Sequence, residues 1–210
     1  MIDCNISLLG DDAVCLRPAD RAHRHALAQA LRTSGRWLDV VPGKEVVAVR
    51  FDPFMCAPSE AVARIKDWLK GYEEQSPGTG RPIELTLDTS SASAPDLEAL
   101  AQQNNLSTDA FLQKVIESDL VVDMLGFTPG FAYVDGVDTS LVAERLSVPR
   151  VRVPAGSVGL LSGQVGLYAL GGPGGWPIIG RVHEMLFDAK RHEPFLLQAG
   201  QPITLKLVAG

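Results

Sequence analysis

Hydrophobic and polar positions change rhythm twice along this chain, and each change marks a different kind of element. Ala13 to Arg17 (AVCLR) is a short apolar run of strand type, and Pro18 followed by Asp20 punctuates the start of a helix from Arg21 to about Thr33, closed by Gly35. Trp37 to Val41 and Glu45 to Phe51 flank Pro42-Gly43 and predict a hairpin, with β-branched residues concentrated in its second strand. From Glu60 to about Glu74, behind Ser59 as a good N-cap, Val62, Ile65, Trp68, Leu69 and Tyr72 recur at helical spacing and form a core-facing stripe. This βαββα order predicts a small N-terminal α/β domain of the ferredoxin-like, split-βαβ kind over residues 1–80.

The polar stretch EQSPGTGRP has linker composition and places a domain boundary within Gln75 to Pro82, so that a second domain covers residues 81–210. It opens with a strand from Ile83 to Leu87, a polar TSSASAPD loop, a helix from Asp96 to Gln103, and a helix from Thr108 to about Glu117 capped by Ser107. From Leu120 onward the texture changes again. Short β-rich runs (LVVDML, VRVP, VGLYAL, PIIGRV, EMLF, ITLKLV) alternate with Gly/Pro turns, a rhythm that predicts a closed or strongly bent antiparallel β-barrel and makes the whole chain α+β.

Composition narrows the function classes. Hydrophobic residues at 46% and charged residues at 21% support two buried cores and exclude disorder over most of the length. Nineteen Lys and Arg against twenty-five Asp and Glu leave a formal charge of −6 with no basic stripe, which argues against a nucleic-acid partner. The three cysteines form no CxxC and would leave one thiol unpaired in any disulfide scheme, which suits a reducing compartment. No apolar run approaches the roughly 20 residues that span a bilayer, and MIDCNISLLGDD lacks the basic-then-apolar layout of a secretory signal, so the expectation is a cytoplasmic protein without a membrane partner.

Candidate chemistry is concentrated between Met124 and Arg181. In GFTPGFAY, two glycines and a proline hold aromatics, including Phe131 and Tyr133, close together, either as a pocket wall or as a barrel corner with its rings packed inward. Arg150 and Arg152 stand two apart on one strand face, where guanidinium forks can hold a carboxylate or phosphate, or where they form a solvated face. Ser157 and Gln164 offer neutral donors and acceptors among glycines that leave room for a ligand. GGPGGWPIIGR sets Trp176 in a glycine loop whose amides can form an anion-binding concavity, with Arg181 carried on the strand that follows, or it is a disordered loop with Trp176 as an anchor. No GxGxxG or GxxxxGK[ST] loop is present, so no ATP site is expected on this chain alone, and the four histidines lack ligand spacing, so no metal is expected.

GFTPGFAYVDGVD, VPRVRVPAGSVGLLSGQVGLYAL, GGPGGWPIIGR, LFD and QAGQPITLKLV, in that order over residues 120–208, resemble the family of 5-oxoprolinase B subunits, Kip-type histidine kinase inhibitors and the proteins labelled allophanate hydrolase subunit 1. A looser likeness runs through LLGDDAVCL, VPGKEVVAVRFDP and PDLEALAQQNNLS. The resemblance implies a cyclophilin-like β-barrel for the second domain and a partnership with homologues of the 5-oxoprolinase C and A subunits. It also implies ATP-dependent opening of 5-oxo-L-proline to L-glutamate by the assembled complex, at a composite site for a small molecule. The same family admits a kinase inhibitor without catalysis, or one half of a biotin-dependent carboxyltransferase whose biotin arrives on another chain. The chain departs from the family pattern at Leu87 to Ala94, where relatives carry a Tyr-Gly-Gly-type loop, and at Glu117-Ser118, where they commonly carry His-Ser.

Overall fold

The computed structural model describes residues 4–73 and 81–208. Most of the segment read as the domain boundary, from Gln75 to Gly80, lies outside the described residues. Contacts divide the chain into two compact units, residues 1–78 and 79–210.

In the first unit β1 (Asn5–Leu9), β2 (Ala13–Arg17), α1 (Arg21–Thr33), β3 (Asp39–Pro42), β4 (Val47–Arg50) and α2 (Pro58–Lys70) follow one another. The four strands form one antiparallel sheet in the order β1-β2-β4-β3. Strict alternation puts Val14 and Leu16 of β2 and Val47 and Val49 of β4 on one face, where they share a core with Leu27 and Leu31 of α1 and Ile65 and Leu69 of α2. Asp20 caps α1 by accepting from the His23 backbone N–H at 3.0 Å, and this bond holds its carboxyl below the usual range.

Two features of this unit differ from the sequence expectation. Strand β1 is additional: only Ile6 in it is β-branched and nearly all of it is exposed, so its signal lies in pairing with β2 across a turn at Gly10, whose φ is +67°. The N-cap of α2 is Ala57, with no side-chain bond, because Pro58 suits the first helical position and starts the helix ahead of Ser59. The observed architecture is therefore a four-stranded α+β unit of order ββαββα.

The second unit comprises β5 (Ile83–Asp88), α3 (Leu97–Gln103), α4 (Thr108–Ile116), β6 (Val121–Leu125), β7 (Ala132–Asp135), β8 (Arg150–Val153), β9 (Ser157–Leu161), β10 (Gln164–Leu167), β11 (Gly172–Gly174), β12 (Ile178–Val182) and β13 (Ile203–Leu207). Seven strands make one sheet in the order β13-β5-β12-β9-β10-β7-β6, while β8 and β11 pair separately. The large sheet curls until its edges meet: Val121 bridges Pro202, and the Val122 backbone N–H donates to the Gln201 carbonyl at 2.9 Å. Inside lie Leu85, Leu87, Val134, Leu160, Leu167 and Ile179, with Phe111 and Val115 of α4 packed into the same core.

Two expectations for this unit are corrected. The sheet is not wholly antiparallel, since β13 runs parallel to β5 from Ile203↔Ile83 to Leu207↔Leu87, a pairing that only the full length of the unit can connect. EMLF is not a strand. The β12–β5 ladder ends at Val182↔Leu87, and beyond it both carboxylate oxygens of Glu184 accept from the Thr86 backbone N–H, at 2.9 and 3.0 Å, in place of a ladder carbonyl.

Candidate functional site

The outer face of the curled sheet carries the site candidates, and strand alternation puts them there. Val158, Leu160, Val165, Leu167, Ala132 and Val134 point into the main core, so the residues between them point outward. One outward row crosses four strands: Tyr133 of β7 pairs with Gly166 of β10, Gly166 with Gly159 of β9, and Gly159 with Ile178 of β12. The two central glycines form a floor. A Cβ would stand 2.9 Å from a Trp176 side-chain carbon at Gly159 and 2.8 Å from the Trp176 ring at Gly166, so the indole seats only because both positions lack side chains.

Over that floor the aromatics interlock. Phe131 meets Tyr133 at 4.8 Å, Tyr168 at 5.0 Å and Trp176 at 6.3 Å between ring centroids, all edge-to-face, and Tyr133 meets Trp176 at 6.0 Å. Phe131, Tyr168 and Ile178 join Val153 of β8 in a second small core, which Tyr133 borders half-buried. Phe127, at φ +72° and largely exposed, lays its ring edge-on to Phe131 at 5.4 Å and forms a rim. Burial raises the Tyr168 phenol above its ordinary value. The Trp176 backbone N–H, donating to its oxygen, and the nearby charges of Arg145 and Arg150 act in the opposite sense.

Two guanidinium groups border this cluster. Arg145 stands over the Trp176 ring, its guanidinium carbon 5.9 Å from the centroid. Arg150, whose Cα pairs with Gly174, donates from Nη2 to Oδ1 of Asp96 at 2.7 Å, while Oδ2 of the same carboxylate accepts from the Ile178 backbone N–H at 2.6 Å. Asp96 thereby joins the start of α3, β8 and β12.

The structure brings Phe131, Tyr133 and Trp176 together, with Arg150 at their border. It separates the remaining sequence candidates. Arg181 pairs with Ser157 at one end of β9, whereas Gln164 pairs with Leu161 at the other, four residues or about 13 Å along the strand. Gln164 donates to Asp135 at 2.5 Å, and Nε of Arg181 donates to the Ala155 carbonyl at 2.8 Å across Gly156. Ser157 is buried, and Arg152 is exposed on β8 with no ion pair among the described residues. Gln164 and Arg181 therefore flank the aromatic row on its two sides rather than meeting. The room expected above the glycines is filled by the Trp176 indole.

Asp96, Arg145 and Tyr168 join the site only in the structure. Asp96 reads from sequence as the start of a helix, and nothing local indicates that its carboxylate serves Arg150 and Ile178. The one legible signal is the interior glycine in each of SVGLL and QVGL, since glycine inside a strand marks a close approach.

At the two positions where the chain departs from the family pattern, the loops are locally self-sufficient. Asp88 accepts from Ser93 Oγ at 2.6 Å, from the Ser90 N–H at 2.9 Å and from Ser90 Oγ at 3.1 Å, and these bonds, Ser93 foremost, depress its pKa. Ser118 Oγ donates to the Lys114 carbonyl at 2.7 Å and accepts from the Asp138 N–H at 2.9 Å, next to the Lys114–Asp138 ion pair at 2.8 Å.

Comparison with known proteins agrees with this architecture. The sequence profile of the carboxyltransferase domain, subdomains C and D, matches residues 4–197. The 5-oxoprolinase B subunit of Escherichia coli O157:H7 is 34% identical over 202 residues, covering 93% of this chain and 92% of that protein. The 5-oxoprolinase B subunit of Bacillus subtilis (strain 168) is 30% identical over 213 residues, covering 93% and 89%. Among solved structures, TTHA0988 superposes with a TM-score of 0.82 at 32% identity over 95% of this chain, which spans 41% of that longer chain. Urea carboxylase of Kluyveromyces lactis has a TM-score of 0.70 at 14% identity over 98% of this chain and 22% of its own, a likeness of fold alone. The chain belongs to the carboxyltransferase-domain family, subdomains C and D, the family that holds the 5-oxoprolinase B subunits.

Proposed function

We propose that the chain is the B subunit of an ATP-dependent 5-oxoprolinase, which opens 5-oxo-L-proline to L-glutamate only when joined to homologues of the C and A subunits. The observation that carries this reading is the near end-to-end match, 34% identical over 93% of the chain, to a protein of nearly the same span named as the B subunit of 5-oxoprolinase. On this reading residues 1–80 are a ferredoxin-like domain, residues 81–210 a cyclophilin-like barrel, and the protein works in the cytoplasm. ATP is handled by the assembly, because this chain has no phosphate-cradling glycine loop.

The outer face of the second unit suits the substrate. A flat five-membered lactam with one carboxylate asks for ring edges to pack against and a cation for the acid, which Tyr133, Trp176 and the bordering arginines supply. The rigid strands β7, β9, β10 and β12 hold those groups in place.

The test is reconstitution. Purified chain together with the C-type and A-type partner homologues should release glutamate and consume ATP when given 5-oxo-L-proline, and the chain alone should do neither. Turnover by the isolated chain overturns the assignment to a multi-chain enzyme. The family description favours one other reading, half of a biotin-dependent carboxyltransferase, and a complex that is idle with 5-oxoproline but transfers carboxyl from a biotinylated carrier would select it.

A further inference from the structure

We propose that Arg145 is the residue that recognises the carboxylate of the small ligand at the outer-face aromatic row, with Arg150 as the second cation at its border. The proposal rests on the functional reading above and adds to it a residue that no sequence motif marks.

The geometry is that of a prepared anion receptor. Arg145 is exposed, yet its guanidinium carbon lies 5.9 Å from the centre of the buried Trp176 ring, a cation–π contact that restrains the side chain. No carboxylate pairs with Arg145 among the described residues, so the donors on its outward side are available to a ligand.

The backbone beneath it is anchored at several points. The Leu146 N–H donates to the Gly175 carbonyl at 2.8 Å, beside Trp176. The Ser162 N–H donates to the Ala143 carbonyl, and the Ala143 N–H to Ser162 Oγ, both at 3.0 Å. Pre-ordering of this kind reduces the entropy lost on binding.

Arg150 supplies the second positive group. One arm is committed to Asp96, while its Nη1 is buried without a hydrogen-bond partner among the described residues, so the group acts on a ligand by its charge rather than by a new bond from that nitrogen. The Cα of Arg150 pairs with Gly174, and a Cβ on Gly174 would collide with the Tyr168 hydroxyl, so β11, the partner strand of Arg150, lies against the phenol. Asp96 offsets the charge of Arg150, so Arg145, Arg150 and Asp96 together carry one net positive charge at the border of the aromatic row, in a chain of formal charge −6. The ligand class this selects is a small, flat monocarboxylate.

The experiment compares 5-oxo-L-proline with its neutral carboxamide as probes, by calorimetric titration of the parent, Arg145→Gln and Arg145→Lys, each alone and assembled with the C-type partner homologue. The parent should prefer the acid by about tenfold or more, the loss expected for a charge-assisted bond. Arg145→Gln should erase that preference without changing the melting temperature, and Arg145→Lys should restore only part of it because a point charge lacks the planar fork. Equal preference in the parent and Arg145→Gln overturns the proposal, as does failure of the parent to bind either probe in both states. The two readings fail separately. Full turnover of 5-oxo-L-proline by an Arg145→Gln complex with unchanged KM removes Arg145 from the site and leaves the functional assignment standing. Arg145-dependent binding of the acid by a complex that never releases glutamate supports the Arg145 site and removes the assignment.

Discussion

Asp96 holds Arg150 with one carboxylate oxygen at 2.7 Å and the backbone N–H of Ile178 with the other at 2.6 Å, so a single side chain fixes both the cation at the site's border and the strand that follows Trp176. The pair is partly shielded, with side-chain exposures of 16% for Asp96 and 32% for Arg150. Asp96→Ala leaves a half-buried guanidinium and an unpaired amide, and should lower unfolding free energy by about 2 kcal/mol, below the cost for a fully buried pair. Asp96→Asn, which keeps an acceptor, should cost about half as much. Urea titration with unchanged m-value is the check.

The glycine floor gives a second prediction. Gly166→Ala places a methyl group 2.8 Å from the Trp176 ring, with Phe131 only 2.9 Å away, and neither buried ring can step aside. The expected loss is about 1–3 kcal/mol, the usual range for overpacking. Trp176→Phe in the same background should recover part of it, because the smaller ring vacates the contact. Unfolding of the two single variants and the double variant measures the coupling.

These two sites show how unevenly the sequence can be read. The helices α1 and α4 are legible because Asp20 and Ser107 mark their starts, and both residues do cap them. Strands β2, β6, β10, β12 and β13 are legible as apolar runs between turn residues. Strand β1 is not, since an exposed edge strand needs no apolar face. Nor can local pattern show that β13 pairs parallel with β5, a contact between residues more than a hundred positions apart. The aromatics Phe131 and Tyr133 of one motif and Trp176 of another do meet. Gln164 and Arg181 are grouped with them by composition alone, and register parts them, because a strand of five residues has two ends.

Register also predicts independence. Gln164→Ala and Arg181→Ala stand far enough apart, with no shared partner, for their effects on stability to add within about 0.5 kcal/mol. Gln164→Ala should leave the KM of the assembled complex for 5-oxo-L-proline within about twofold of the parent. A tenfold rise in KM would return Gln164 to the site.

Acid should weaken the fold through its depressed carboxyls, Asp20 in the first unit and Asp88 and Asp138 in the second. The Lys114 ammonium and the Ser140 N–H and hydroxyl depress Asp138 far below its ordinary value, and the Ser93 hydroxyl does the same, less strongly, for Asp88. A depressed folded pKa contributes stability that is complete above the unfolded value of about 4 and is lost as pH falls below it. Unfolding free energy should therefore decline below about pH 4, and Asp138→Asn should flatten that decline while lowering stability at pH 7. An unchanged pH profile in Asp138→Asn would show that the Lys114 pair contributes nothing.

The chain has three tryptophans, Trp37, Trp68 and Trp176, and only Trp176 lies on the outer face of the curled sheet, which makes its indole N–H resonance a direct reporter of the proposed site. The measurement is a titration of 5-oxo-L-proline into the nitrogen-15-labelled chain bound to its C-type partner homologue, followed at the three indole signals. Saturable movement of the Trp176 signal, with Trp37 and Trp68 still, is the result the outer-face site predicts. Movement of Trp37 or Trp68 with Trp176 still, or a saturating ligand that moves none of the three, would contradict it.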